Sequence, residues 1–162
     1  MSLTQGQKKV KNAERQLAQS VSNPAEIKRL LQSRFAYGNA YHLLRRSEVW
    51  QIVKPLLGTI YHVKQDDMEV LAENSALSDA ELIELGVAGA EPLKVLKHPN
   101  CGDLTLKKVA ELWHSCSRGK SLDCVSRWAT DEQIQRMYEL HPPCRESNAT
   151  LGYAEFVQRF AS

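Results

Sequence analysis

Three stretches of this chain carry the side chains that a helix start requires. Asn23-Pro24-Ala25-Glu26 supplies a capping amide, a proline whose missing N–H is not needed in a first turn, and an acid three residues on. Ser78-Asp79-Ala80-Glu81 and Thr130-Asp131-Glu132-Gln133 are capping boxes, in which hydroxyl and carboxylate or amide satisfy each other's orphaned N–H groups. The inventory agrees, with 20 Leu and 15 Ala against 11 Val, 5 Ile and 5 Thr. The expected fold is therefore mainly α, an irregular bundle of about seven to nine short helices with at most a minor two-stranded β element. Its 162 residues, 43% hydrophobic and 25% charged, are enough for a core of that kind.

Periodicity places the elements. A polar first helix is expected over 5–20, with Val10, Leu17 and Val21 as a thin apolar stripe. A second runs over 24–37, with Ile27, Leu30, Leu31 and Phe35 inward and Gly38-Asn39 ending it. A third covers 40–54, with Leu43, Leu44, Trp50 and Val53 in the core, before Pro55. Residues 59–63 (Thr-Ile-Tyr-His-Val) read as a strand, which could pair with 68–71, though a helix fits 68–71 equally well. Short helices follow over 79–85, 91–98, 104–116, 121–129, 131–140 and 151–161. The implied organisation is a basic, loosely docked N-terminal helix at 1–22 and a single helical domain at 23–162.

The charge is distributed in blocks. Residues 1–54 hold ten basic side chains against three acids, a net of +7, whereas 66–91 hold eight acids and no Lys or Arg, a net of −8. Residues 92–127 return to +4, from seven basic residues and three acids. The basic third is either a cationic platform for a polyanion or is neutralised by the acidic middle. Aromatic residues (Phe35, Tyr37, Tyr41, Trp50) interleave with it, a mixture suited to stacking single-stranded bases, although helical spacing favours the core for Phe35 and Trp50.

From Leu104 to Trp128 the chain resembles the bacterial helix-turn-helix repressors. Leu106-Lys107-Lys108-Val109-Ala110-Glu111-Leu112 is similar to their first helix, and Val125-Ser126-Arg127-Trp128 to the recognition helix. The resemblance implies that Lys120, Ser121, Asp123, Ser126 and Arg127 lie near DNA. The intervening segment exceeds the family's tight turn by about five residues, and two ordinary amphipathic helices are the competing and favoured reading.

Four cysteines (101, 116, 124, 144) and His98, His114 and His141 fall in the C-terminal 65 residues. His98-x-x-Cys101 and His141-x-x-Cys144 echo one another, and together would offer zinc a Cys2His2 set. No two cysteines have the close spacing of zinc signatures, and Cys116 and Cys124 sit at core positions, so no metal or other cofactor is expected. Gly119-Lys120-Ser121 ends like a phosphate loop, but His114 occupies the place of the required upstream glycine. No catalytic motif is present. The N-terminus carries no apolar signal core and no span is long enough to cross a membrane, so the expected setting is the cytoplasm, with thiols reduced.

The resulting expectation is a small non-enzymatic nucleic-acid-binding protein, a regulatory or accessory factor. Its phosphate contacts would come from Lys8, Lys9, Lys11, Arg15, Lys28, Arg29, Arg45 and Arg46, joined by Lys120 and Arg127. Arg45-Arg46 is the pair singled out. The alternative is a protein-interaction module (an adaptor, a secretion-related factor or an inhibitor of a larger complex) that uses the acidic segment 66–91.

Overall fold

The computed structural model describes residues 2–86, 92–115 and 128–141. The chain divides into two compact units, Met1–Ala76 and Leu77–Ser162. Both are helical: among the described residues there are eight α-helices and no strand beyond one isolated bridge, Leu57 to Tyr61.

In the first unit α1 spans Gln5–Ser20, α2 Pro24–Gln32, α3 Ala36–Leu43, α4 Trp50–Val53 and α5 Gln65–Ala72. The start of α1 is a capping box that the sequence reading missed. Thr4 Oγ1 accepts from Gln7 N at 3.2 Å, and Gln7 Oε1 accepts from Thr4 N at 3.0 Å. At α2 the Asn23 side chain accepts from Ala25 N and Glu26 N as expected. Glu26 does not complete the box, because it holds Arg29 Nε at 3.0 Å instead.

Two helix boundaries move from their expected places. The second helix ends at Gln32 and a new one starts at Ala36, so Gly38 and Asn39 lie inside α3 rather than terminating α2. Ser33 explains the break. Its hydroxyl accepts Phe35 N at 3.0 Å and donates to Glu14 at 2.6 Å, competing with the helical ladder. The expected helix 40–54 is split by 3₁₀ turns at Ser47–Val49 and Lys54–Leu56, the second containing Pro55. The strand expected over 59–63 is a turn. Gly58 takes φ +81° and donates its N–H to Tyr61 O at 2.8 Å, while Thr59 Oγ1 donates to the carbonyls of Pro55 and Leu56. Residues 68–71 belong to α5.

The core of this unit holds Ile27, Leu30, Leu31, Leu43, Leu44, Trp50 and Val53, as periodicity indicated, with Val70 and Leu71 from α5. The register of α1 differs from the expected stripe. Val10 is 52% exposed, and the inward edge is Glu14, Ala18 and the following Val21. On this edge α1 meets α2 and α3 through the buried Glu14 carboxylate.

In the second unit α6 spans Asp79–Glu81 and continues as a π-helical turn, Leu82–Gly86. A 3₁₀ helix, Pro92–Lys97, precedes α7 (Asp103–Ser115) and α8 (Asp131–Leu140). Leu82, Val95, Leu106, Val109, Ile134 and Met137 form the buried centre. Asp79 docks its carboxylate on the start of α7, accepting from Gly102 N at 2.9 Å, Leu104 N at 3.0 Å and Thr105 N at 3.1 Å. Gly102 is required there, because a Cβ would lie 2.6 Å from Asp79 Oδ2. Arg136 of α8 clasps Asp103 through two hydrogen bonds, at 3.0 and 2.6 Å. No described helix is long and apolar enough to cross a membrane. The helices expected over 121–129 and 151–161 lie outside the described residues.

Candidate functional site

The charges of the first unit separate into two populations. On α1, Lys8, Lys9 and Arg15 are exposed and Lys11 is half-exposed, and none makes an ion pair among the described residues. Lys8, Lys11 and Arg15 fall at i, i+3 and i+7, one strip about 10 Å long at 1.5 Å per residue, with Lys9 beside it. The one acid of this helix, Glu14, is turned inward and 8% exposed. It accepts from Ser33 Oγ at 2.6 Å, Asn39 Nδ2 at 2.9 Å and Arg29 Nη1 at 3.4 Å. Burial pushes this carboxyl up, but the hydrogen bonds from Ser33 and Asn39 and the charge of Arg29 outweigh it and hold the group below the ordinary carboxylate range. The outer surface of α1 consequently presents cations with no carboxylate among them. Lys28 of α2 is exposed as well.

The pair expected to lead, Arg45-Arg46, is engaged within the fold. The Arg46 side chain is 13% exposed. Its Nη1 donates to the carbonyls of Ala18 at 3.0 Å and Val21 at 2.7 Å, and its Nε to Glu48 at 2.8 Å. Those carbonyls lie at the end of α1, whose own last turn has no basic residue, so Arg46 acts as its C-terminal cation. Arg45 is paired with Glu73 and stacks over Tyr41, with Cζ 5.0 Å from the ring centroid and Nη1 donating to the Tyr41 hydroxyl at 2.7 Å. Arg29 is held by Glu26 and Glu14.

Beside the cationic strip lies a cleft of about 530 Å³, lined by Arg15, Tyr37, Tyr41, His42, Asp66 and Glu69 among others. Tyr37 and Tyr41, one helical turn apart on α3, are 47% and 46% exposed. Tyr37 donates its hydroxyl to Asp66 at 2.7 Å, which raises its pKa, and Lys64 Nζ sits 4.7 Å from its ring centroid. His42 stands edge-on to Tyr41 at 5.3 Å. Burial, then the charges of Arg15 and Arg45, push His42 below its ordinary pKa, which favours the uncharged imidazole. Gly38 makes room for Arg15: a Cβ there would stand 3.1 Å from Arg15 Nε and 3.4 Å from Nη2. Phe35 is half-buried and Trp50 fully buried, so of the interleaved aromatics Tyr37 and Tyr41 are the most exposed.

The acidic segment is also largely engaged internally, each residue within its own unit. Asp66 takes Tyr37, Glu73 takes Arg45, and Asp67 accepts from Tyr61 Oη and Lys64 N, both at 2.8 Å. Asp79 caps α7 and Glu81 its own helix start. Burial, followed by the hydrogen bond to Asp67, raises the Tyr61 hydroxyl well above its ordinary value.

The possible zinc ligands are placed only in part. His98 is buried and its Nδ1 accepts Asn100 N at 3.0 Å. Burial, with the charge of Asp79, pushes the Cys101 thiol up to about 11, which opposes the thiolate a metal needs. His141 ends α8, and Cys144 lies outside the described residues. No group of three or more His, Cys, Asp or Glu among the described residues could hold a metal ion. Of the helix-turn-helix resemblance the first helix is present as α7, with Ala110 buried, while Lys120 and Arg127 lie outside the described residues. No protein-family model matches the chain, and neither the curated proteins nor the solved structures contain a match.

Proposed function

We propose that the protein is a small non-enzymatic nucleic-acid-binding factor, regulatory or accessory in role and cytoplasmic, whose contact surface is the outer side of α1. The observation that carries the reading is the inward turn of Glu14, which leaves Lys8, Lys9, Lys11 and Arg15 as an uninterrupted cationic face. Phosphates are attracted to such a face without sequence preference, and affinity then falls with salt as condensed counterions are released. Lys28 would extend the surface, whereas Arg29, Arg45 and Arg46 serve the fold. The protein-interaction alternative has less support, because most described carboxylates of the acidic segment already hold partners.

The test is an anisotropy titration of wild type and of a Lys8→Glu, Lys9→Glu, Lys11→Glu variant against labelled single-stranded and duplex oligonucleotides. At about 50 mM salt the variant is expected to lose about a hundredfold in affinity, with a shallower salt dependence. Absence of wild-type binding to every oligonucleotide at that salt would sink the proposal.

A further inference from the structure

The cleft beside α1 is built for something other than phosphate alone. It offers two exposed aromatic rings at i and i+4, one guanidinium, an imidazole and three carboxylates, Asp66, Asp67 and Glu69, of which Asp67 is buried and already accepts from Tyr61 and Lys64 N. A phosphate deep in this cleft would meet like charge from α5. A cationic guest would meet Arg15 in the cleft and two rings that already carry Lys64 and Arg45 against them. A flat, uncharged heteroaromatic group with N–H donors on one side and an anionic tail satisfies every wall. Its face stacks on tyrosine, its donors meet the carboxylates, and its tail reaches the arginine that belongs to both the cleft and the α1 strip.

We propose that the cleft receives one unpaired nucleobase of a single strand. The base stacks on Tyr37 and Tyr41, its exocyclic amino group points to Asp66 and Glu69, and its phosphate lies on Arg15. Asp66 already accepts the Tyr37 hydroxyl, whereas Glu69 is exposed and makes no hydrogen bond among the described residues, so Glu69 is the residue that distinguishes bases. Cytosine and uracil make the sharpest comparison. They have the same ring, but cytosine turns an N4 amino donor toward a carboxylate where uracil turns the O4 acceptor. The inference rests on the nucleic-acid reading and adds to it a strandedness and a base preference.

The experiment compares labelled oligocytidylate and oligouridylate of about twelve residues, their deoxy counterparts, and a duplex of the same length. Single strands are expected to bind more tightly than duplex, and cytosine more tightly than uracil by about tenfold, in RNA, DNA or both. Tyr37→Ala with Tyr41→Ala should weaken single-strand binding by about tenfold or more, with the salt slope unchanged because no cation is removed. Glu69→Gln should erase the distinction between cytosine and uracil, since an amide serves a donor and an acceptor equally.

Gly38→Ala guards against variants that merely misfold. It keeps every charge and favours the helix, yet its methyl group, 3.1 Å from Arg15 Nε, obliges the guanidinium to shift by a few tenths of an ångström, so single-strand affinity should fall measurably with no loss of thermal stability. If wild type binds no oligonucleotide, the α1 reading and the cleft assignment fall together. If it binds through α1 but treats cytosine and uracil alike, and the tyrosine and Gly38 variants bind as wild type does, the cleft assignment is overturned and the α1 reading stands.

Discussion

The outer face of α1, with three lysines and an arginine, and the turn that follows α3, with Arg45 and Arg46, are both cationic, and as sequence they are the same kind of object. In the folded unit their partners differ, although the Arg45 side chain stays 42% exposed and only Arg46 is largely withdrawn. Lys8, Lys9, Lys11 and Arg15 face outward without ion pairs among the described residues, whereas Arg45 and Arg46 are bound to Tyr41, Glu73, Glu48 and two backbone carbonyls. The difference lies in what else is nearby. An α-helix end leaves carbonyls that need donors, and Arg46 meets the end of α1 there. The outer side of α1 has no such need to meet. A net charge of +7 over a third of the chain therefore overstates the cations that a ligand can use, and an affinity built on the whole block would be the wrong expectation.

The largest effects should come from the engaged charges, and in stability alone. Glu14→Ala removes a buried acceptor from the Asn39 amide and the Ser33 hydroxyl, and should cost about 3 kcal/mol in urea unfolding. Glu14→Gln, which keeps the shape and one acceptor, should cost less. Arg46→Ala leaves the carbonyls of Ala18 and Val21 without their charged donor and should cost about 2 kcal/mol. An Arg46→Ala protein as stable as wild type, yet unable to bind nucleic acid, would invert the comparison and restore Arg46 as a phosphate contact.

Acid should weaken the first unit in two stages. His42 titrates lower in the folded chain than its ordinary 6.5, so the unfolded chain takes that proton first, and stability begins to fall as pH drops through this value. Glu14 is likewise depressed when folded, so its contribution is complete above the ordinary carboxylate range and disappears as pH falls through and below it. Asp79, lowered by its bonds to Thr105, Gly102 and Leu104 despite burial, acts in the same direction in the second unit. Urea midpoints measured from about pH 7 down to about pH 4 should decline, and the lower stage should shrink in Glu14→Gln. An unchanged decline in that variant would remove Glu14 as its cause.

How far these features were legible beforehand depends on how far along the chain their causes lie. The starts of α2, α6 and α8 follow from residues within a single turn, and the apolar periods of α2 and of residues 43–53 follow from local spacing. The break at Ser33 was hidden, because a serine hydroxyl ends a helix only when Glu14, 19 residues earlier, draws it into a buried network. The capping of α1 by Arg46 and of α7 by Asp79 was hidden for the same reason, since each cap comes from another element. Val10 was misread as inward because a thin stripe of valine and leucine outweighs a lone glutamate on any hydropathy count. Of the candidate site, the lysines of α1 and the presence of aromatic residues could be read directly. Gly38 as the seat of Arg15 could not, since a glycine beside asparagine looks like a helix terminator until Asn39 is seen buried against Glu14, Leu30 and Ser33.

The smallest effect is the most exact probe of the outer face. A single Lys9→Ala substitution removes an exposed cation that has no ion pair among the described residues, so unfolding stability should stay within about 0.5 kcal/mol of wild type. If Lys9 neutralises a phosphate, the slope of log affinity against log salt should become shallower by about 0.7 on a single strand. The same substitution at Lys54, which belongs to the 3₁₀ turn Lys54–Leu56 rather than to α1 and has interactions of its own, supplies the control. Its salt slope should match wild type, because a cation of the same basic block that is not on α1 adds to net charge without meeting the backbone of a ligand seated on α1. Equal slope changes at Lys9 and Lys54 would mean that the protein is felt by nucleic acid only as a diffuse positive body, and that the burial of Glu14 confers no special role on α1.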